Sequence, residues 1–395
     1  MDITNLPTIN VGIVGHIDHG KTTLLYKLSG KWADTHSEEL KRGITIKLGY
    51  ADIIIKDDKG KLNLEKGEPV RLITFVDAPG HEMLMATMLS GAAIMDAAIL
   101  VIAADEGIKP QTREHLVALQ AKKINHIIIV QNKIDAVTKE TALENYRQIK
   151  ELVKGTIAEN SPIIPVSAQQ NINLDKIIEE LCNIEINKRK LDVKPIFLIA
   201  RSFDINKPGT ELLKLHGGVL GGALKEGVLK VGDEIEIKPG HVYKKQNQFY
   251  YKTIKSKITS IQRGNFQISE AIPGGSLAIE TELDPSLTKA DSLSGCIAST
   301  TGNLPEITSD INIKYELFNE VLGTAKHEQV EGLKLNESLM LSINTSITVG
   351  QIKKLKNNKM EVSLKIPIVP LKGESIGIAR NINSHWRLIG FGEIV

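Results

Sequence analysis

Hydrophobic and polar positions follow two different rhythms along this chain, and the change falls near residue 185. Before it, short apolar runs alternate with longer mixed stretches. The runs are Ile9–Val14, Leu48–Ile55, Val70–Val76, Ala97–Ala103, His126–Val130 and Ile163–Val166. Most are apolar without interruption, as strands buried on both faces should be. Between them Lys21–Ser29, Met83–Gly91, Pro110–Lys122, Thr138–Gly155 and Leu174–Cys182 read as helices. This alternation predicts an α/β domain, a mainly parallel sheet with helices on both faces, which binds phosphates at the carboxyl ends of its strands.

Asn183–Lys194 is polar and charged, ends at Pro195, and reads as a linker. Beyond it, helical periodicity fades. Short apolar runs separated by Gly, Pro and Asp take over: Ile196–Arg201, Val231–Ile237, Lys255–Ile261 and Ser276–Ile279. A second set comprises Ile311–Leu317, Glu328–Val330, Glu337–Ile343, Thr345–Ile352, Lys359–Ile366 and Glu374–Ile382. Such spacing predicts two β-barrels, the second starting near Ile307. The expected division is 1–185, a linker at 186–194, 195–305 and 306–395.

Composition narrows this picture in three ways. The 395 residues exceed one ordinary core, and 42% hydrophobic content supports packed domains over disorder. Net charge is −4 over residues 1–187 and +6 over 188–395, so the back half leans toward acidic partners such as nucleic acid. Cys182 and Cys296 form no CxxC pair, the N-terminus has no signal-peptide pattern, and the longest apolar candidate, Gly91 to Ala104, contains Asp96. A cytoplasmic protein without membrane contact is the expectation.

Four stretches carry chemistry. Gly15-His16-Ile17-Asp18-His19-Gly20-Lys21-Thr22, with Thr23 opening a helix, is a phosphate-binding loop between a strand and a helix. Its backbone N–H groups can curl round a phosphate, Lys21 supplies a point charge, and the Thr22 hydroxyl suits Mg²⁺. Asp77-Ala78-Pro79-Gly80-His81 ends a strand. Asp77 can hold the metal through water, Gly80 lets the backbone approach a γ-phosphate, and His81 stands where a water could be oriented. Asn132-Lys133-Ile134-Asp135 follows another strand. A carboxylate at Asp135 accepts from guanine N1–H and the exocyclic amine, a donor pair adenine lacks, while Lys133 lays its stem along the base. Ser167-Ala168-Gln169 follows the next strand and can cap guanine O6 through backbone N–H. The long stretch Gly30 to Lys47 contains Thr45, placed to reach metal and γ-phosphate when GTP is present.

Taken together, Gly15–Thr22, Arg42–Ile46, Asp77–His81 and Asn132–Asp135 resemble the translational GTPases, the elongation factor Tu-like superfamily. His36–Ile44, Leu48-Gly49-Tyr50-Ala51-Asp52, Ala200–Thr210, Gly217–Gly222 and Trp386–Gly392 are similar to the gamma subunit of the archaeal and eukaryotic initiation factor 2. The resemblance implies a GTPase domain followed by two β-barrels. It implies GTP or GDP with Mg²⁺ on Thr22 and Thr45, and a second Mg²⁺ site at Asp18 and Gly43. His81 and Asp18 become the catalytic residues, with His81 orienting the hydrolytic water and Ile17 and Ile44 gating it. Implied partners are initiator methionyl-tRNA, the alpha and beta subunits of a heterotrimer, the small ribosomal subunit and, only indirectly, mRNA. Rival readings are a carrier of elongator or selenocysteinyl-tRNA, and a phosphate-loop enzyme of the ATP-sulfate adenylyltransferase type, against which Asp135 argues.

The chain departs from that family where a four-cysteine zinc knuckle is usual. Lys56–Glu68 has neither cysteine nor histidine, so no thiolate zinc site is expected and a short polar hairpin takes its place. His16, His19, His115, His126, His216, His241, His327 and His385 show no metal-ligand spacing. In the back half, Phe249-Tyr250-Tyr251 lies among lysines. Base stacking is one reading, and a hairpin whose aromatics pack on its barrel is the expected one. Lys353–Lys359 reads as a basic hairpin tip.

Overall fold

The computed structural model describes residues 6–31, 48–79, 85–186, 188–211, 214–321 and 328–395. The front of the chain builds one sheet from β1 (Thr8–Gly15), β2 (Gly49–Asp58), β3 (Lys61–Asn63), β4 (Glu68–Asp77), β5 (Ala97–Ala103), β6 (His126–Asn132) and β7 (Ile163–Pro165), in the order β3-β2-β4-β1-β5-β6-β7. From β4 to β7 the strands are parallel, and β2 and β3 add an antiparallel edge. β1 and β5 are buried along their whole length, which explains their unbroken apolar sequences. β2 instead alternates buried with half-buried positions. The β2–β3 turn places Lys59 and Gly60 at φ 54° and 87°, the geometry of a tight hairpin, and this hairpin occupies the stretch where a zinc knuckle is usual.

Helices α1 (Lys21–Ser29) and α5 (Leu174–Asn183) cover one face through Leu24, Leu25, Leu28, Ile177 and Leu181. On the other face lie α2 (Met85–Ala92), α3 (Pro110–Ala121) and α4 (Lys139–Val153). That second core runs on into the back half through Ile196, Leu198, Ala223, Ile297, Val369 and Leu388.

The sheet of the first barrel contains β8 (Ile196–Phe203), β9 (Val219–Glu226), β11 (Glu234–Lys245), β12 (Gln248–Arg263), β13 (Phe266–Ile268), β15 (Leu277–Thr281) and β16 (Ile297–Thr300), while β10 (Leu229–Lys230) and β14 (Glu270–Ala271) pair apart from it. It closes because β11 pairs with both β16 and β12. The second barrel comprises β17 (Thr308–Leu317), β20 (Ser338–Ile343), β21 (Ser346–Lys356), β22 (Lys359–Ile368), β23 (Ser375–Ile382) and β24 (His385–Ile394), closed in the order β17-β22-β21-β20-β23-β24. Glu328–Val330, expected as a strand of this barrel, instead contributes β19 (Glu328–Gln329), which pairs with β18 (Glu320–Val321) outside the ring. A closed ring has no edge left to extend.

The β11–β12 pair overruns the apolar runs Val231–Ile237 and Lys255–Ile261 and continues as a two-stranded ribbon to a turn at Gln246 and Asn247, both at positive φ. Tyr251 is half-buried near Cys296 of the barrel core, but Phe249 and Tyr250 do not pack on the barrel, contrary to the expectation. Phe249 is 61% exposed, and Tyr243 stacks on Tyr250 with ring centroids 5.6 Å apart. The two tyrosines face each other directly in the antiparallel register, so each shelters the other. Among the described residues no helix is long and apolar enough to cross a membrane.

Candidate nucleotide-binding site

The phosphate loop leaves β1 at Gly15 and enters α1 at Lys21. Gly15 (φ 141°) lies so close to β5 that a Cβ would meet the Val101 carbonyl oxygen at 2.3 Å. Gly20 (φ 87°) would carry a Cβ 2.4 Å from Asn132 Nδ2. Only glycine fits either position. Asp18, at φ 60°, is exposed beside the loop, and Ile17 is half-buried. Buried Lys21 donates from Nζ to the His16 carbonyl at 2.6 Å, so the ammonium lies within the loop's curl. The first N–H groups of α1 add partial positive charge at the same end.

A cavity of about 290 Å³ opens beside the loop, lined by Asp18, Gly20, Thr23, Asn132, Lys133, Asp135, Ala136, Ala168 and Gln169. Three stretches far apart in sequence thus meet at the carboxyl ends of β1, β6 and β7. Asn132, 2% exposed, is the bracket that joins them. Its Nδ2 donates to the His19 carbonyl at 3.0 Å, and its Oδ1 accepts the Ala168 N–H at 3.1 Å. The Ala168 N–H is therefore engaged within the protein. Ser167 is fully buried, and its Oγ accepts from the Gln170 N–H at 3.1 Å, so its hydroxyl holds the turn while Ala168 and Gln169 form the wall. Lys133, at φ 60°, lays its stem along the cavity and pairs its Nζ with Asp105 at 3.2 Å and Glu106 at 3.1 Å.

On the phosphate side, Thr22 Oγ1 donates to Asp77 Oδ2 at 3.5 Å, and Asp77 is fully buried. A hydroxyl and a carboxylate side by side, next to a loop shaped for phosphate, form the hard-oxygen donor set that Mg²⁺ prefers. Gly43, Ile44, Thr45, Gly80 and His81 lie outside the described residues.

The loop's two histidines pack their rings against each other. His19 turns its ring inward, its Nδ1 3.3 Å from the Val101 carbonyl. A carbonyl only accepts, so Nδ1 carries the proton. Burial lowers the His19 pKa to about 4. His19 therefore lends the site its backbone carbonyl, not its imidazole. His16 packs edge-on against it at 5.0 Å, with its own pKa lowered by burial. Sequence reasoning missed His115 on α3, whose Nδ1 accepts the Gly15 N–H at 2.8 Å, and the Asp105–Glu106 pair that anchors Lys133. The acidic pair lies one residue beyond the end of β5, and that position was a usable signal. His115 offered none.

Residues 6–186 match the family model described as the Elongation factor Tu GTP binding domain, and residues 309–394 match Initiation factor eIF2 gamma, C terminal. The Translation initiation factor 2 subunit gamma of Methanococcus maripaludis strain C6 is 50% identical over 410 residues, covering 100% of both chains. This chain belongs to the translation initiation factor 2 gamma-subunit family. The gamma subunit of Archaeoglobus fulgidus is 49% identical over 98% of this chain and 95% of its own. That of Pyrococcus furiosus is 49% identical over 99% and 98%. A solved bacterial selenocysteine-specific elongation factor EF-Sec superposes with a TM-score of 0.77 at 25% identity, over 98% of this chain but only 58% of that one. Elongation factor SelB from Methanococcus maripaludis in complex with GPPNHP gives a TM-score of 0.74 at 25% identity, over 100% of this chain and 79% of its own. Family and fold make this gamma-type chain a translation initiation GTPase with a guanine-nucleotide site.

Proposed function

We propose that the chain carries charged initiator methionyl-tRNA in its GTP state, brings it to the small ribosomal subunit, and releases it after hydrolysis. The observation that carries this reading is end-to-end identity of 50% to initiation factor 2 gamma subunits, together with a cavity whose base end holds Asp135. In this reading Asp135 selects guanine, Lys133 flanks the base, Asn132 ties the base and phosphate loops together, and Lys21 neutralises the outer phosphates. Thr22 with Asp77, joined by Thr45, would hold Mg²⁺, which when bound neutralises charge on the β- and γ-phosphates. Asp18 and Gly43 are proposed for a second Mg²⁺, and Ile17 and Ile44 as an apolar gate. His81 orients the attacking water. Replacing His81 with Ala is expected to cut ribosome-stimulated hydrolysis by about a hundredfold or more while leaving GTP affinity nearly unchanged. Loss of GTP binding instead would contradict the water-orienting role.

The wider proposal includes alpha and beta subunits as partners, a cytoplasmic setting, and the division into residues 1–185, 195–305 and 306–395 joined by 186–194. Contacts to the γ-phosphate bias one arrangement of the loops and barrels, and losing that phosphate removes the bias. Filter binding of methionylated initiator tRNA, with partner subunits present, is compared between a GTP analogue and GDP. Tight binding only with the analogue is expected, and equal affinity in both states would sink the reading. A second reading, delivery of selenocysteinyl- or other elongator tRNA, draws on the likeness to the solved selenocysteine factors. Competition between initiator and elongator tRNAs separates the two.

A further inference from the structure

Glu114 and His115 are consecutive on α3, yet each is tied to a different part of the molecule. Glu114 Oε1 accepts from Arg387 Nη1 at 2.6 Å, and Arg387 stands on β24 of the second barrel. The pair is buried, with side chains 2% and 11% exposed. His115, also buried, accepts the Gly15 N–H on Nδ1, which leaves its proton on Nε2. Gly15 is thereby wedged between His115 and the Val101 carbonyl of β5, with no room on that side even for a methyl group. Just past the far end of α3, buried Lys122 donates to the Ser342 carbonyl of β20 at 3.1 Å. The helix is thus pinned to the second barrel at two points, and between them it holds the first residue of the phosphate loop.

We infer that α3 mechanically links the second barrel to the nucleotide. The barrel, seated through Arg387 on Glu114, keeps His115 against Gly15 and so retards nucleotide release; any partner that lifts the barrel loosens the phosphate loop. His115 is a positioning residue, since it touches loop backbone and not the nucleotide. A buried charge pair suits this task because pulling its two members apart leaves each charge buried without its partner, so strand and helix move together. Coupling of this kind is reciprocal: the bound nucleotide equally strengthens the barrel's seat. The inference rests on the phosphate loop holding guanine nucleotide.

The test is the rate at which the full-length chain loses a fluorescent GDP, chased with unlabelled GDP in a stopped-flow instrument. Arg387→Met and His115→Ala are each expected to speed release by roughly tenfold, and the double variant by no more than the faster single, as for coupled sites. His115→Asn, whose side-chain oxygen can take the Gly15 N–H, is expected to restore slow release. Lys123→Ala, which removes an exposed ion pair to Glu393 across the same interface, is expected to leave the rate unchanged. If Arg387→Met fails to fold by circular dichroism, Glu114→Gln reads the same link, with faster release expected. Wild-type release in the folded Arg387 or Glu114 variant, a multiplicative double variant, or His115→Asn behaving like His115→Ala would overturn the inference. A wild-type chain that takes up no guanine nucleotide would overturn the nucleotide reading as well.

Discussion

At the scale of single residues, Asp135 and His115 show how differently two side chains can be read. In its proposed role Asp135 is legible because guanine's paired donors require two acceptors, and a carboxylate supplies both from one side chain. Asparagine there offers one acceptor and one donor, which matches the N1–H and O2 of xanthine. Asp135→Asn is therefore expected to lower GTP affinity by about a hundredfold and to raise XTP affinity, measured by calorimetric titration. His115 was invisible because its partner, Gly15, is a backbone group 100 residues away. Burial takes its pKa from 6.5 to about 3. The unfolded chain gains a proton as pH falls below 6.5, and the folded chain resists until near 3. The stability due to the neutral ring is complete above 6.5 and is lost toward 3, at up to about 1.4 kcal/mol per pH unit. Urea unfolding across this window should show a shallower slope for His115→Asn than for the wild type.

At the scale of elements, turns were the most readable features and strand lengths the least. The strand–loop–helix from β1 to α1 follows from where glycines interrupt an apolar run. Gly20 combines a left-handed backbone with a Cβ position already occupied by Asn132 Nδ2. Gly20→Ala is expected to cost about 1–2 kcal/mol in backbone strain alone. It also disturbs the Asn132 bracket, so nucleotide affinity should fall with Tm; thermal melts with and without GDP separate the two effects. The β11–β12 ribbon shows the opposite case. Its apolar runs stop where the barrel wall stops, but its hydrogen-bonded ladder continues into solvent. Periodicity reports burial, so it could not see strands stabilised by cross-strand stacking of Tyr243 on Tyr250.

At the scale of the whole molecule, the three parts share a core and a set of polar ties. Ser276 Oγ donates to Asn10 Oδ1 at 3.0 Å, Arg201 to the Leu48 carbonyl at 2.9 Å, and Ser90 to the Thr345 carbonyl at 2.8 Å. Lys122 belongs to this scale. Its burial against the second barrel lowers its pKa from 10.5 to about 7, with Glu374 opposing the shift and Lys225 adding to it. Between pH 7 and 10.5 the unfolded chain keeps a proton that the folded one has released. Stability should therefore rise with pH across that window, at up to about 1.4 kcal/mol per unit. Lys122→Met should abolish the rise in urea unfolding series; a rise that persists would assign it elsewhere.

The linear order of residues determined the strand–helix alternation, the phosphate loop, the position of Asp135 after its strand and the change to barrel strands, because each is written in the pattern or chemistry of a short segment. The short polar hairpin within Lys56–Glu68 was legible too, in a polar stretch with neither cysteine nor histidine. Tertiary structure alone decided what holds the site. Asn132 brackets His19 and Ala168, Asp105 and Glu106 anchor Lys133, and α3 stands between Gly15 and Arg387. Those partners lie tens to hundreds of residues apart. Only packing, which brings distant backbone and charged groups together and removes water from between them, gives each its role.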